Sequence, residues 1–256
     1  MRNEHIAKKR FGQNFLQDIR VLEQIIEAMP DNDNALAEIG PGLGDLTKYL
    51  VDVKALNAFE VDTDLCRLLR DRFKDAIATD ALTLHCGDVL ESWKISLLDR
   101  RYDLVANLPY YIATNIILKA LADPLCQTII VMVQKEVAYK FAARCGAREF
   151  GALSVITQSV AKAKIVANVP PEAFDPPPKV DSSVILIEKF ADRSDVEFER
   201  FLRIAFKQPR KTLAKNLSAR YDKKEISDAF APLALAMTVR PHQVKTSDYH
   251  QLYKTL

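Results

Sequence analysis

Glycine is scarce in this chain, with seven in 256 residues, and three of the seven fall within Gly40-Pro-Gly-Leu-Gly44. Glycine placed that way marks a backbone that must take positive φ or pass close to something else. The cluster follows a short apolar segment, Ala35-Leu-Ala-Glu-Ile39, and precedes a helical pattern. A strand feeding a glycine-rich turn that opens a helix is the first βα turn of a nucleotide-binding α/β sheet. The spacing is G-x-G-x-G rather than the G-x-G-x-x-G of dinucleotide enzymes, and Glu38 just before it would repel a pyrophosphate. Glu60 ends the second predicted strand about twenty residues after Gly40, where a carboxylate can accept from both hydroxyls of a ribose. Asp88, in Gly87-Asp-Val89 at the end of the third strand, could accept from an adenine amino group. These strand ends converge on a crevice shaped for a nucleoside without phosphates, a description that S-adenosylmethionine meets.

Asn107-Leu-Pro-Tyr110 closes a fourth predicted strand. Pro109 cannot continue the ladder, so the segment turns at the sheet edge. An exocyclic adenine amine is a poor nucleophile because its lone pair is delocalised into the ring. The Asn107 side-chain carbonyl and a backbone carbonyl could hold its hydrogens and aim that lone pair at a methyl group. Tyr110 could stack on the base; the plainer reading is a Pro-Tyr turn packed for stability. Phe174-Asp-Pro-Pro-Pro-Lys-Val-Asp181 is a stiff loop, with five of the twelve prolines between Pro170 and Pro178. It either presents Phe174 as a second stacking ring or tucks it into the core. His5, His85, His242 and His250 are scattered and read as structural.

The elements that must position these residues follow from periodicity. Asp18 caps a helix with Val21, Leu22, Ile25, Ile26 and Met29 at 3.6-residue spacing. Strands are expected at 35–39, 55–61, 82–86, 102–106, 128–133, 164–169 and 183–188. Helices are expected from about Asp45, through Leu65–Phe73, and over 114–122, 135–143 and 152–161. Alternation at this spacing predicts a mostly parallel sheet covered on both faces, with an antiparallel hairpin where the last two strands lack a helix between them. After about Phe190 only helical patterns remain, including the stripe Phe198, Phe201, Leu202, Ala205, Phe206.

Composition closes off other classes. Apolar residues make up 48% and charged residues 27%, which excludes a disordered or fibrous chain. No apolar run is longer than that of Ile129–Val133, which falls far short of the roughly 20 residues that cross a bilayer. The N-terminal segment lacks the apolar stretch of a signal peptide, so a cytoplasmic protein is expected. Cys66, Cys86, Cys126 and Cys145 lack metal-ligand spacing and read as reduced, mostly buried thiols, with no metal site. Net charge is only +2, but six basic residues and no acidic one lie between Phe201 and Arg220, and Lys8-Lys9-Arg10 forms a second cluster. Either is a solvated face or a contact to a phosphate backbone.

Phe11-Gly-Gln-Asn-Phe-Leu16, Glu38–Gly44, Glu60, Gly87-Asp88, Asn107–Tyr110 and Phe174–Val180, in that order, closely resemble the KsgA/RsmA family of ribosomal RNA adenine dimethyltransferases. The resemblance covers nearly the whole chain. It implies an α/β fold, a Rossmann-like class I methyltransferase sheet with a small C-terminal all-helical domain, divided as a methyltransferase domain over 1–190 and an RNA-binding domain over 191–256. The activity implied is S-adenosylmethionine-dependent dimethylation at N6 of two adjacent adenosines near the 3′ end of 16S ribosomal RNA. The substrate implied is a precursor small subunit rather than free RNA, and the enzyme a monomer. By motif, Asn14 and Leu16 cover the cofactor, Gly40 approaches its methionine part, Glu60 its ribose and Asp88 its adenine, and Gly42 is also cofactor-binding. Asn107 touches cofactor and target amine, Leu108 supplies the backbone carbonyl ahead of Pro109, and Tyr110 and Phe174 stack on the target. The helix carrying Arg210, Lys211 and Lys215 resembles the RNA-contacting segment. Tyr111 stands where the family often has Asn, and Gln208-Pro209 where a basic residue is common.

Three alternatives compete with this reading. A sister enzyme that methylates large-subunit RNA shares the catalytic motifs, but Gly12-Gln-Asn-Phe-Leu16, Leu108 and Lys179 favour the small-subunit branch. A non-catalytic assembly factor is disfavoured by the intact Asn107–Tyr110 motif, and a nicotinamide dehydrogenase by the glycine spacing.

Overall fold

The computed structural model describes residues 13–191 and 195–256. Lys8-Lys9-Arg10, His5, Phe11 and Gly12 lie outside the described residues. The chain divides into two compact units, one made of the residues up to Ala138 with Lys164–Phe190, the other of Tyr139–Ala163 with Ala191–Leu256.

The first unit begins with β1 (Phe15–Leu16) and α1 (Ile19–Glu27). Asp18 caps α1 by accepting from Arg20 N at 3.0 Å, and Val21, Leu22 and Ile25 are buried as their spacing predicts. Strand and helix then alternate: β2 (Ala35–Ile39), α2 (Thr47–Val53), β3 (Leu56–Glu60), α3 (Thr63–Arg72), α4 (Lys74–Ala78), β4 (Leu82–Cys86) and α5 (Val89–Ser92). They continue through β5 (Tyr102–Asn107), α6 (Tyr110–Ala122), β6 (Cys126–Gln134) and α7 (Lys135–Ala142). After α8 (Ala152–Val160) come β7 (Ala161–Val169), β8 (Phe174–Asp175) and β9 (Ser182–Lys189).

Seven strands form one sheet in the order β4-β3-β2-β5-β6-β9-β7, and β1 pairs with β8 in a two-stranded ribbon. The run from β4 to β6 is parallel. Strand β9 is antiparallel to β6 and lies between it and β7, the strand that precedes it without an intervening α-helix. The central strands are buried almost throughout, as expected of a parallel sheet covered on both faces. Strand order reverses between β2 and β5, so the crevice at their carboxyl ends is the topological switch point.

Polar groups at the other end of the sheet serve the fold. Asp123 is fully buried, and its Oδ2 accepts from Trp93 Nε1 (2.9 Å), Tyr102 Oη (2.7 Å) and Leu97 N (2.8 Å). Asp103 accepts from the side-chain amides of Asn32 and Asn34 at 3.0 and 3.2 Å. Both carboxyl groups are hydrogen-bonded by their neighbours, which is how a buried polar group is tolerated.

The second unit contains α8, α9 (Val196–Ala205), α10 (Leu213–Leu217), α11 (Lys223–Phe230) and α12 (Thr246–Thr255). The stripe Phe198, Phe201, Leu202 and Ala205 is buried on α9 as its period predicts. This unit takes in Tyr139–Ala163 besides the 191–256 stretch expected from the sequence. The reason lies on α8: Gln158 Oε1 accepts from Thr246 Oγ1 at 2.6 Å, Ser159 Oγ lies 2.8 Å from His250 Nε2, and Phe198 stacks on that imidazole at 4.2 Å.

The cysteine reading is also corrected. Cys66 on α3 and Cys86 at the end of β4 form a disulfide, their Cα atoms 6.2 Å apart and within the usual span of such a bridge. Cys126 is a buried thiol and Cys145 an exposed one.

The helix expected from Asp45 starts at Thr47, after a turn that Gly44 makes possible. Gly44 has φ +84°, and a Cβ there would lie 2.5 Å from Phe73 Cε2. Gly44→Ala therefore combines backbone strain with a steric overlap and should lower unfolding free energy by about 2 kcal/mol. Urea denaturation measures it, and an unchanged midpoint would show that the turn tolerates a side chain.

Candidate active site

Gly40 follows β2, Glu60 ends β3, Asp88 follows β4 and Asn107 ends β5. Because β4-β3-β2-β5 are successive neighbours about 4.8 Å apart, these four positions lie along roughly 15 Å of one sheet edge. They line a single cavity, together with Asn14, Leu16 and Gly42 and with Leu108, Pro109 and Tyr110. Every cofactor-binding residue expected from the sequence is brought to this cavity.

Its floor is the glycine turn. Gly40 has φ +71°, a conformation that favours glycine, and Pro109 Cδ packs 3.6 Å from where its Cβ would be. The glycine turn and the Asn-Leu-Pro-Tyr turn are thus pressed together at the switch point. Glu60 is buried, and its two oxygens accept from Gly42 N at 3.2 Å and Asp62 N at 2.9 Å. Each oxygen keeps a second acceptor site for a ligand hydroxyl. Asp88 is exposed and caps α5 through Leu90 N at 2.8 Å.

Asn107 is oriented by a partner remote in sequence. Its Nδ2 donates to the backbone carbonyl of Asn14 at 3.0 Å, so the amide nitrogen is committed and Oδ1 is left as the acceptor. Leu108 is buried beside it, its N–H bonded to Met132 O at 3.1 Å. Tyr110 opens α6 and is half-buried, and its hydroxyl lies 2.6 Å from Ser182 Oγ. Partial burial pushes its phenol up, so the ring stays neutral.

The cavity is acidic. Glu38, Asp45, Glu60 and Asp88 line it, and no Lys or Arg is among the described lining residues. That favours a ligand carrying positive charge and no phosphate. Glu38 modifies the argument drawn from its sequence position. Burial pushes its carboxyl up to about 8, against a weaker pull downward from the Thr47 hydroxyl, which donates at 2.7 Å, and with a further push from Glu60. Protonated at neutral pH, Glu38 does not itself repel an anion. Glu60 is raised mainly by burial, against the two backbone N–H groups that hold it.

Two expectations need correction. Phe174 does not line the cavity: it is 5% exposed and pairs with Leu16 across the β1–β8 ribbon, within the same apolar cluster. Arg210 and Lys211 are not on a helix. They occupy the turn before α10, with Thr212 as its N-cap, and only Lys215 is helical. Asn216 locks that turn by accepting from Gln208 N at 2.9 Å and donating to Gln208 O at 3.1 Å. Arg203, Lys207, Arg210, Lys211, Lys215 and Arg220 are all exposed. Sequence reasoning missed Tyr111 as a lining residue; its phenol is raised by partial burial and by the nearby charges of Asp88 and Glu60.

A parallel sheet with acidic strand ends around a glycine turn at the switch point defines a Rossmann-like class I methyltransferase fold. Solved structures share it: a dimethyladenosine transferase from Plasmodium falciparum superposes with a TM-score of 0.78 at 23% identity, covering 93% of this chain and 95% of that one. The 23S rRNA methyltransferase ErmE superposes with a TM-score of 0.72 at 22% identity, covering 95% and 99%. The chain belongs to the ribosomal RNA adenine dimethylase family, whose sequence model matches residues 4–256. Relatives named ribosomal RNA small subunit methyltransferase A are 66% identical in Sulfurimonas denitrificans, over 97% of this chain and 93% of the relative, and 53% identical in Aliarcobacter butzleri, over 96% and 95%.

The buried acid has a measurable consequence. The folded Glu38 carboxyl holds its proton up to about 8, whereas the unfolded chain releases it near 4.5. Between those values the folded state carries the extra proton, so this group's contribution is intact below 4.5 and is lost as pH rises through 8. The slope is at most about 1.4 kcal/mol per pH unit. Glu38→Gln should therefore gain stability relative to the unsubstituted protein as pH rises from about 5 to 8, read by urea unfolding. Parallel profiles would contradict the assignment.

Proposed function

We propose that this protein uses S-adenosylmethionine to dimethylate N6 of two adjacent adenosines near the 3′ end of 16S ribosomal RNA. Its substrate is a precursor small subunit in the cytoplasm, and it acts as a monomer. The observation that carries the reading is the Asn107 amide, held by Asn14 so that Oδ1 faces its task as an acceptor in the same crevice as the acidic strand ends. The relatives' names support the small-subunit target.

The donor set fits the cofactor: the carboxyl groups of Asp45, Glu60 and Asp88, a glycine turn and no cation among the described lining residues suit a positively charged nucleoside without phosphates. When bound, S-adenosylmethionine supplies an electrophilic sulfonium methyl. Glu60 would accept from the ribose hydroxyls, Asp88 from the adenine amino group, and Asn14 and Leu16 would cover the site. Gly40 and Gly42 let the backbone close on the methionine part. At the target, Asn107 Oδ1 and the Leu108 carbonyl would each accept one N6 hydrogen, turning the lone pair toward the methyl. Pro109 holds that carbonyl at the turn. The displaced proton leaves from N6 to solvent, so no side chain needs a matched pKa. Stacking falls to Tyr110, because Phe174 would have to leave the core it shares with Leu16 to reach a base. Arg210, Lys211 and Lys215 are exposed cations that would contact RNA phosphates.

Purified protein with labelled cofactor should place methyl groups in small subunits from cells lacking the modification, more readily than in free 16S RNA, and none in large subunits. Label in large-subunit RNA would support the sister activity, and no label a non-catalytic factor. Asn107→Ala should abolish transfer in a single-turnover assay while RNA binding persists; retained transfer would refute the acceptor role. Reversing charge with Arg210→Glu and Lys211→Glu together should weaken RNA binding about tenfold or more at low salt and flatten its salt dependence, with cofactor affinity unchanged. Unchanged RNA affinity would remove these residues from the interface.

A further inference from the structure

Tyr110 is the first residue of α6, and its backbone alone does not fix its ring. The hydroxyl at the far end of that ring lies 2.6 Å from Ser182 Oγ, 72 residues away in sequence. Ser182 is fully buried and begins β9, opposite Gln134 of β6. Its neighbours are tied down: Lys135 N donates to Asp181 O at 2.9 Å, Lys135 Nζ lies 3.3 Å from the Asp181 carboxylate, and Ser183 Oγ donates to Asn168 Oδ1 at 2.8 Å. Ser182 is therefore placed by the sheet, independently of α6. Because β9 runs antiparallel to β6, its beginning lies at the same edge as the ends of the parallel strands.

We propose that Ser182 is a positioning residue, which pins the Tyr110 hydroxyl and so fixes the ring plane against which the target adenine stacks. The inference rests on the assignment of Tyr110 as the stacking platform. A ring held at its Cα by α6 and at its hydroxyl by β9 has surrendered its side-chain torsions before the base arrives. A ring held at one end surrenders them on binding, which weakens the encounter. Serine suits the position because its short side chain brings an oxygen to the phenol from a strand that cannot move.

The test is methyl transfer to small subunits by the full chain carrying Ser182→Ala, Ser182→Thr, Tyr110→Phe, or Ser182→Ala with Tyr110→Phe. Losing one neutral hydrogen bond predicts a fall of about three- to tenfold in kcat/KM for the RNA substrate in each alanine or phenylalanine variant. The double variant should fall no further than the worse single one, and Ser182→Thr, which keeps the hydroxyl, should recover most of the activity. Cofactor affinity, measured by calorimetry, should stay within about twofold of the unsubstituted protein. If Ser182→Ala fails to fold, Tyr110→Phe removes the same bond from the crevice side, and it should lose as much activity in the Ser182→Thr background, where the bond persists, as in the unsubstituted protein; full activity in Tyr110→Phe would overturn the proposal. Losses that multiply, or a parallel loss of cofactor affinity, would overturn the proposal. An unsubstituted protein that transfers no methyl would instead overturn the methyltransferase reading, so the two failures are distinct.

Discussion

A parallel sheet covered on both faces leaves its strand ends as the natural place for polar side chains, and every feature of this site follows from that constraint. Strands β2, β5 and β6 bury nearly all of their residues, so charge and hydrogen-bonding capacity gather at the two edges. The two edges are used differently. Asp123 and Asp103 accept from Trp93, Tyr102 and the Asn32 and Asn34 amides, and they join loops to the sheet. At the carboxyl edge, Glu60, Asp88 and Asn107 are held by backbone groups and retain acceptor capacity toward a cavity.

Chemistry at that edge depends on orientation more than on acid–base strength. Asn14 directs the Asn107 amide, Gly42 and Asp62 hold Glu60, and Ser182 reaches Tyr110. Each bond is made within the protein itself, so the groups are in place before any ligand arrives. Such preorganisation is how a site can direct a weakly nucleophilic amine without a strongly perturbed base. The most shifted acid in the cavity, Glu38, sits behind the glycine turn with Thr47, as part of the floor.

The strand-end residues were legible in the sequence because each sits where a local pattern changes: apolar strand to glycine turn at Gly40, strand to acid at Glu60 and Asp88, strand to proline turn at Asn107. Their order along the chain then placed them on one edge. Phe174 was not legible, because its loop's stiffness is local but its direction is decided by pairing with Leu16 far away in sequence. The same holds for Arg210 and Lys211, where the Asn216 side chain and the Thr212 cap turn a basic segment into a locked loop. Cys66 and Cys86 show no motif spacing, yet α3 packs on β4 and brings their Cα atoms to 6.2 Å. Helix α8 reads as another crossover helix; its side-chain partners on α12, Thr246 and His250, tie it to the second unit.

On this reading the carboxyl edge holds a charged nucleoside cofactor with its reactive methyl toward Asn107. A crystal structure of the protein soaked with S-adenosylmethionine tests it most directly. Both ribose hydroxyls should lie within hydrogen-bonding distance of Glu60, the adenine amino group at Asp88, and the methyl should be directed at the space between Asn107 and Tyr110. A cofactor bound elsewhere, or bound here with Glu60 untouched and its methyl turned away from Asn107, would contradict it.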